Sequence, residues 1–177
     1  ALYGAQDAQE IILAGALASK EEDRDAIDRA VIDGLEDPQA VDKYTQEDFV
    51  PFDPVKKRTE AEIKDPDGNT FKVSKGAPQV ILKLCDLEQD RKQEINAQVD
   101  DFAEQGYRTL GVARSDDGDN WQFLGILPLF DPPREDSADT IQHAKEHGIK
   151  IKMVTGDNIA IAKQIASKLG LGTDIYE

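Results

Sequence analysis

The sequence predicts an α+β chain: an antiparallel sheet flanked by helices, followed by a shorter α/β segment. Three observations lead there. First, "RTEAEIKDPDGNTFKVSK" (58–75) and "YRTLGVARSDDGDNWQFLGILPLF" (107–130) each set two β-rich arms around an Asp- and Gly-rich turn, the pattern of a hairpin. Second, amphipathic helical runs precede and separate these hairpins. Third, after "FDPPRED" (130–136) the pattern becomes helix, strand and helix with short loops, as in a piece of a parallel sheet. Residues 1–128 are therefore read as one domain and 129–177 as part of a second. The 49 residues after Pro128 are too few for a full parallel α/β domain.

In chain order, "DAQEIILAGALASKEED" from residue 7 predicts a helix with Ile11, Leu13, Ala14, Leu17 and Ala18 on a broad apolar face. "DAIDRAVIDGL" from residue 25 predicts a second, with Ala26, Ile27, Ala30 and Val31 inward and Asp25 and Asp28 near its start. A polar connection, "DPQAVDKYTQE", leads to a short strand "EDFVPF" (47–52) that Pro54 stops. The first hairpin turns over Asp65–Gly68. Pro78 is acceptable in the first turn of the helix that follows. A long amphipathic helix then runs from about Glu88 and is closed by Gly106. In the last segment Asp136 or Ser137 caps a helix over 138–147, with Ala138, Ile141 and Ala144 inward and Gly148 ending it. Ile149–Val154 predicts a strand, and Asn158–Leu169 a helix ended by Gly170.

Composition narrows the function. The chain has 177 residues and a net charge of −15, so nucleic acid and anionic lipid are repelled as partners. Cys85 is the single cysteine; it excludes an internal disulfide and suits a reducing compartment. No run of 18 apolar residues is present and no leader is visible.

Four places draw attention on residue chemistry alone. "TGD" (155–157) follows the expected strand and precedes the expected helix. There, Thr155 can donate a hydroxyl proton, Gly156 lets the backbone come close, and Asp157 can cap the helix or orient a catalytic group. That combination suits a phosphate at a helix N-terminus, and equally describes a capped turn. "PFDPVKKRT" (51–59) is a basic island in an acidic chain, with Phe52 able to stack on a ring beside Lys56, Lys57 and Arg58. The other reading is a solvated turn. "SKGAP" (74–78) puts Lys75 and Gly76 where strand meets helix, a phosphate or purine wall or simply a helix start. His143 and His147 stand four apart on one predicted helix, as metal ligands do, with no third ligand spacing nearby. Asp28 and Arg108, taken alone, are an acid favouring a helix N-terminus and a surface arginine.

Together these stretches resemble the P-type cation-transporting ATPases, and among them the plasma-membrane proton pumps. The resemblance rests on "DRDAID" (23–28), "PFDPVKKRT", "SKGAPQVIL" (74–82), "YRTLGVAR" (107–114), "GILPLFDPPREDSADTI" (125–141) and "IKMVTGDNIAIAKQIASKLGLGT" (151–173), in family order over nearly the whole chain. It implies a nucleotide-binding domain followed by part of a phosphorylation domain of haloacid-dehalogenase-like fold. It further implies that Phe52 stacks on adenine, that Lys75 and Gly76 line the adenine pocket, and that Asp28 faces the base. Lys57 and Arg108 would approach the phosphates, Asp131 and Arg134 would belong to the hinge, and Thr155 and Gly156 would hold the phosphoryl group. Asp157 would fix that loop and contact the nucleotide or its magnesium side. ATP and Mg2+ are the implied cofactors. The implied partners are ATP or ADP and the remaining phosphorylation, actuator and transmembrane domains of a pump whose cytosolic part this chain resembles.

The sequence departs from the family in places. No D-K-T-G-T motif supplies a phosphorylated aspartate, the later G-D-G-x-N-D motif is absent, and Gln79 stands where a glutamate is common. The expectation is a chain that binds nucleotide without forming a phosphoenzyme. The competing readings are a magnesium or calcium pump, a soluble phosphate-binding module or phosphatase of the same α/β type, and a regulatory nucleotide-binding domain.

Overall fold

The computed structural model describes residues 1–20, 25–156 and 158–174. Its elements are α1 (Ala8–Leu17), α2 (Ala26–Asp33), β1 (Thr45–Val50), β2 (Arg58–Lys64), β3 (Thr70–Gly76), α3 (Pro78–Leu84), α4 (Gln89–Glu104), β4 (Arg108–Ser115), β5 (Gln122–Leu129), α5 (Ser137–Glu146) and α6 (Ile159–Lys168). A 3-10 turn over Pro38–Lys43 joins α2 to β1. The chain divides into two compact units, one of Ala1–Gln98 with Thr109–Leu129, the other of Val99–Arg108 with Phe130–Glu177.

The first unit is built on a five-stranded sheet in the order β1-β2-β3-β4-β5. β2 and β3 pair antiparallel in register from Arg58↔Gly76 to Lys64↔Thr70. The turn between them is set by Asp65, whose Oδ1 accepts from the amides of Asp67 and Asn69. Burial alternates along β2, with Thr59, Ala61 and Ile63 inward. Ile11, Leu17, Val31, Ala61, Ile63, Phe71, Val73, Val112 and Leu124 form one apolar core under α1 and α2. Neighbouring strand residues face opposite ways. Gly15 of α1 lies near Val112, whereas a Cβ on the adjacent Gly111 would meet Ile81 and Pro78 of α3, so helices cover both faces of the sheet. Cys85 is buried, and desolvation pushes its thiol up to about 11, away from reactivity at neutral pH.

Two expectations for this unit are corrected. β1 spans Thr45–Val50 and stops before Pro51, two residues earlier than expected, because Pro51 has no amide to add to the ladder. The inward side of α2 is Asp28 and Val31 with Ile32 half-buried, whereas Ala26, Ile27 and Ala30 are exposed. The helix is turned so that the Asp28 carboxylate points into the unit, where a cation waits for it.

In the second unit, α5 and α6 form close to where expected. Asp136 occupies the N-cap of α5 with no side-chain bond, and Ala138, Ile141 and Ala144 are half-buried. The end of α5 is a Schellman turn: Gly148 adopts φ 78, its amide reaches Lys145 O, and the Ile149 amide reaches Ala144 O. The strand expected at 149–154 does not form. All five strands found pair within the antiparallel sheet, and 149–154 joins no ladder. With no neighbouring strand to pair against, Ile149 and Val154 are 57% and 94% exposed.

Candidate functional site

A buried polar cluster surrounds Lys75, at the inward side of β3. The β2–β3 register sets Thr59 opposite Lys75, and both side chains are buried. The ammonium donates to Asp28 Oδ1 at 2.7 Å and to Ala18 O at 2.8 Å, and sits 3.4 Å from Thr59 Oγ1. Asp28 is 8% exposed and Lys75 3%. Asp28 Oδ2 accepts the Lys20 amide at 3.1 Å, and Thr59 Oγ1 donates to Ala18 O at 2.7 Å. The cluster thus ties the end of α1, the first turn of α2 and the β2–β3 ladder to one cation. Burial lowers the Lys75 pKa from its usual 10.5, and the Asp28 carboxylate opposes that shift without reversing it. In this arrangement Lys75 spends its protons inside the protein and directs none of them outward.

Phe52 lies at the opposite extreme, 61% exposed, on the turn that links β1 to β2. That turn is held from within. Asp53 Oδ1 accepts the amides of Val55 and Lys56, and the Lys57 amide reaches Asp53 O at 2.6 Å. Lys57 takes the left-handed conformation at φ 51, the one non-glycine residue to do so among those described. Its carbonyl accepts from the Ala77 amide at 3.0 Å. A Cβ at Gly76 would fall on that same carbonyl oxygen and lie 2.7 Å from Arg58 Cα, both backbone atoms that cannot swing aside. Gly76 is therefore required by the close approach of the Lys57 turn. The fold brings Lys57 against Gly76 at the end of the strand pair that carries Lys75, and Phe52 lies five residues before Lys57 in the connection from β1.

The remaining predicted residues belong to the second unit. Arg108, at the start of β4, stands 3.9 Å from Asp131. Arg134 is mostly exposed and lies 3.7 Å from Asp136. Thr155 and Gly156 are exposed, three and two residues ahead of Asn158. Asn158 caps α6 by accepting the Ala160 amide at 2.8 Å. Asp157 lies outside the described residues, as do Asp23 and Arg24 of the "DRDAID" stretch. Because 149–154 is not a strand, Thr155 does not follow the carboxyl end of one, which corrects the geometric premise for a phosphate loop there.

Residues 7–177 match the haloacid dehalogenase-like hydrolase family. The chain belongs to that family. It is also 50% identical over 170 residues to a Methanocaldococcus jannaschii protein named "Putative cation-transporting ATPase MJ1226". The match covers 94% of this chain and 21% of that protein, so the chain spans about a fifth of its relative's length. For this member of the hydrolase family, the expected relation to cation-transporting ATPases holds at that coarse level. Among the described residues no three His, Cys, Asp or Glu side chains gather into a metal-holding group. No chemical step is assigned to Mg2+.

Sequence reasoning missed Thr59, Asp53 and the Ala18 carbonyl. Thr59 could have been found, since it is the one polar residue on the inward side of a strand that otherwise buries Ala61 and Ile63. Asp53 precedes Pro54, a common setting for a carboxylate that folds back on its own turn. The Ala18 carbonyl carries no side-chain signal at all.

Proposed function

We propose that this chain is an ATP-binding portion of a P-type ATPase, of the proton-transporting subfamily. The full-length protein would move the γ-phosphoryl of ATP to an aspartate and couple that cycle to proton export across the plasma membrane. The relative's name, the family membership and the ordered run of motifs support this reading. The observation that carries it is Phe52, a ring left largely in water on a turn locked at both ends, with Lys56 and Lys57 following it. A large exposed aromatic on a braced turn is a stacking platform rather than a core residue.

In this reading Phe52 stacks on adenine, Lys57 and Arg108 offset phosphate charge, and Thr155 and Gly156 hold the phosphoryl group. Lys75, Asp28 and Gly76 fix the backbone around the base. Asp131 and Arg134 belong to the hinge, and Asp157 to the phosphate loop. The protein's part in such chemistry is positioning and charge neutralisation. No helix among the described residues is long and apolar enough to cross a membrane, so in this proposal ion translocation belongs to other parts of the pump. The family match also suits a soluble phosphate-binding module.

An NMR titration of the 177-residue chain separates the two. ATP is expected to bind with a dissociation constant near millimolar, about −4 to −6 kcal/mol, and to move the amides of Phe52, Lys57 and Gly76. GTP should bind more weakly, and γ-labelled ATP should leave no acid-stable label, for want of an acceptor motif. Equal responses to ATP, GTP and inorganic phosphate would favour the phosphate module. Perturbations confined to residues remote from Phe52 would overturn the adenine site.

A further inference from the structure

We propose that His143 and His147 form a surface site for one borderline divalent transition-metal ion, of the Zn2+, Ni2+ or Cu2+ class. This inference is independent of the nucleotide reading. α5 and its C-cap place the two residues four apart, hence one above the other on a single face. Their rings lie 5.7 Å apart between centroids and within 15° of parallel. Both are exposed, so an ion can reach them from solvent.

A second observation prepares one of them. Nδ1 of His147 sits 2.8 Å from the His143 carbonyl oxygen. A neutral imidazole in that contact donates from Nδ1, which puts the free lone pair on Nε2. Metal-binding histidines are commonly held this way, with the other ring nitrogen donating to a backbone carbonyl that fixes tautomer and orientation. The surroundings favour a cation as well. Asp139 lies one turn before His143, and Glu146 is held by Gln142 at 3.1 Å. Lys145 turns its ammonium to the Gly170 carbonyl.

No third protein ligand joins the pair among the described residues, so the ion would keep open positions for water or an exchangeable ligand. Two imidazoles select borderline ions over hard ones. Mg2+, which takes oxygen ligands, should neither occupy the site nor displace its occupant.

The test uses the whole chain and Ni2+ or Zn2+ alone. Substoichiometric Ni2+ should broaden the ring signals of His143 and His147 and the amides of α5 nearest them before any others. His143→Gln and His147→Gln should each weaken Zn2+ binding by about tenfold or more, because one ligand then binds without the other's effective concentration. An approximately hundredfold excess of Mg2+ should leave both readouts unchanged. Circular dichroism checks that the variants keep their helices, and His143→Gln leaves the C-cap intact. Unchanged affinity in either variant, first broadening at the carboxylate-rich hairpin turns, or displacement by Mg2+ would overturn the site.

Discussion

Lys75→Met is expected to destabilise the first unit by about 3–5 kcal/mol, the cost of leaving a buried carboxylate without its partner. Asp28 is held among Lys75, the Lys20 amide and the first turn of α2. With the ammonium gone it must either stay charged in a poor dielectric or take up a proton. Urea unfolding should show the loss as a midpoint lower by ~2 M. Replacing both members, as Lys75→Met with Asp28→Leu, should recover most of the stability, since apolar residues of similar volume often substitute for a buried pair without loss. Alkaline pH adds a signed test. The folded pKa of Lys75 is below 10.5, so between that lowered value and 10.5 the unfolded chain holds a proton the folded chain has released. Stability contributed by this group therefore rises with pH in that window. The gap between parent and Lys75→Met should widen toward pH 10. A Lys75→Met protein as stable as its parent, or a gap that narrows, would show that the pair contributes little.

Phe52→Ala should weaken ATP, ADP and AMP by similar factors, each losing the roughly 1–3 kcal/mol typical of base stacking on one ring. Phe52 is exposed, so the substitution should leave unfolding within about 0.5 kcal/mol of the parent. Arg108→Ala is expected to act differently. Its pairing with Asp131 is a surface contact worth about 0–1 kcal/mol, so stability should barely change. Binding should fall most for ATP and least for AMP, and that gradient should flatten as salt screens the charges. NMR titrations with the three nucleotides read both outcomes. Equal loss for all three in Arg108→Ala would remove Arg108 from the phosphate end, and unaltered binding in Phe52→Ala would remove the stacking platform.

How much was legible depends on how local each cause is. The β2–β3 hairpin could be read because Asp65, Gly68 and Asn69 make the turn by themselves. The ends of α4, α5 and α6 could be read because glycine stands just past each. The face of α2 could not, since periodicity counts Asp28 as outward and its partner lies 47 residues away. The segment 149–154 alternates as a strand should, yet alternation states only how a segment would lie if a neighbouring strand were present. The site divides the same way. Phe52, Lys57 and Gly76 were marked by residue type, and the turn that unites them is local. The Lys75 cluster was marked only as a wall, because its geometry depends on the Ala18 carbonyl and on Thr59, which no motif announces.

The unpaired segment between Gly148 and Gly156 also makes the chain divisible. Its residues lie outside helix and sheet and are mostly exposed, as protease-sensitive segments are, and Lys150 and Lys152 are trypsin sites within it. Every residue of the sheet unit precedes that point in the chain. One nick there would separate α6 from the remainder without severing a strand, so the stacking platform and the buried lysine could be studied on a fragment that still contains the whole sheet.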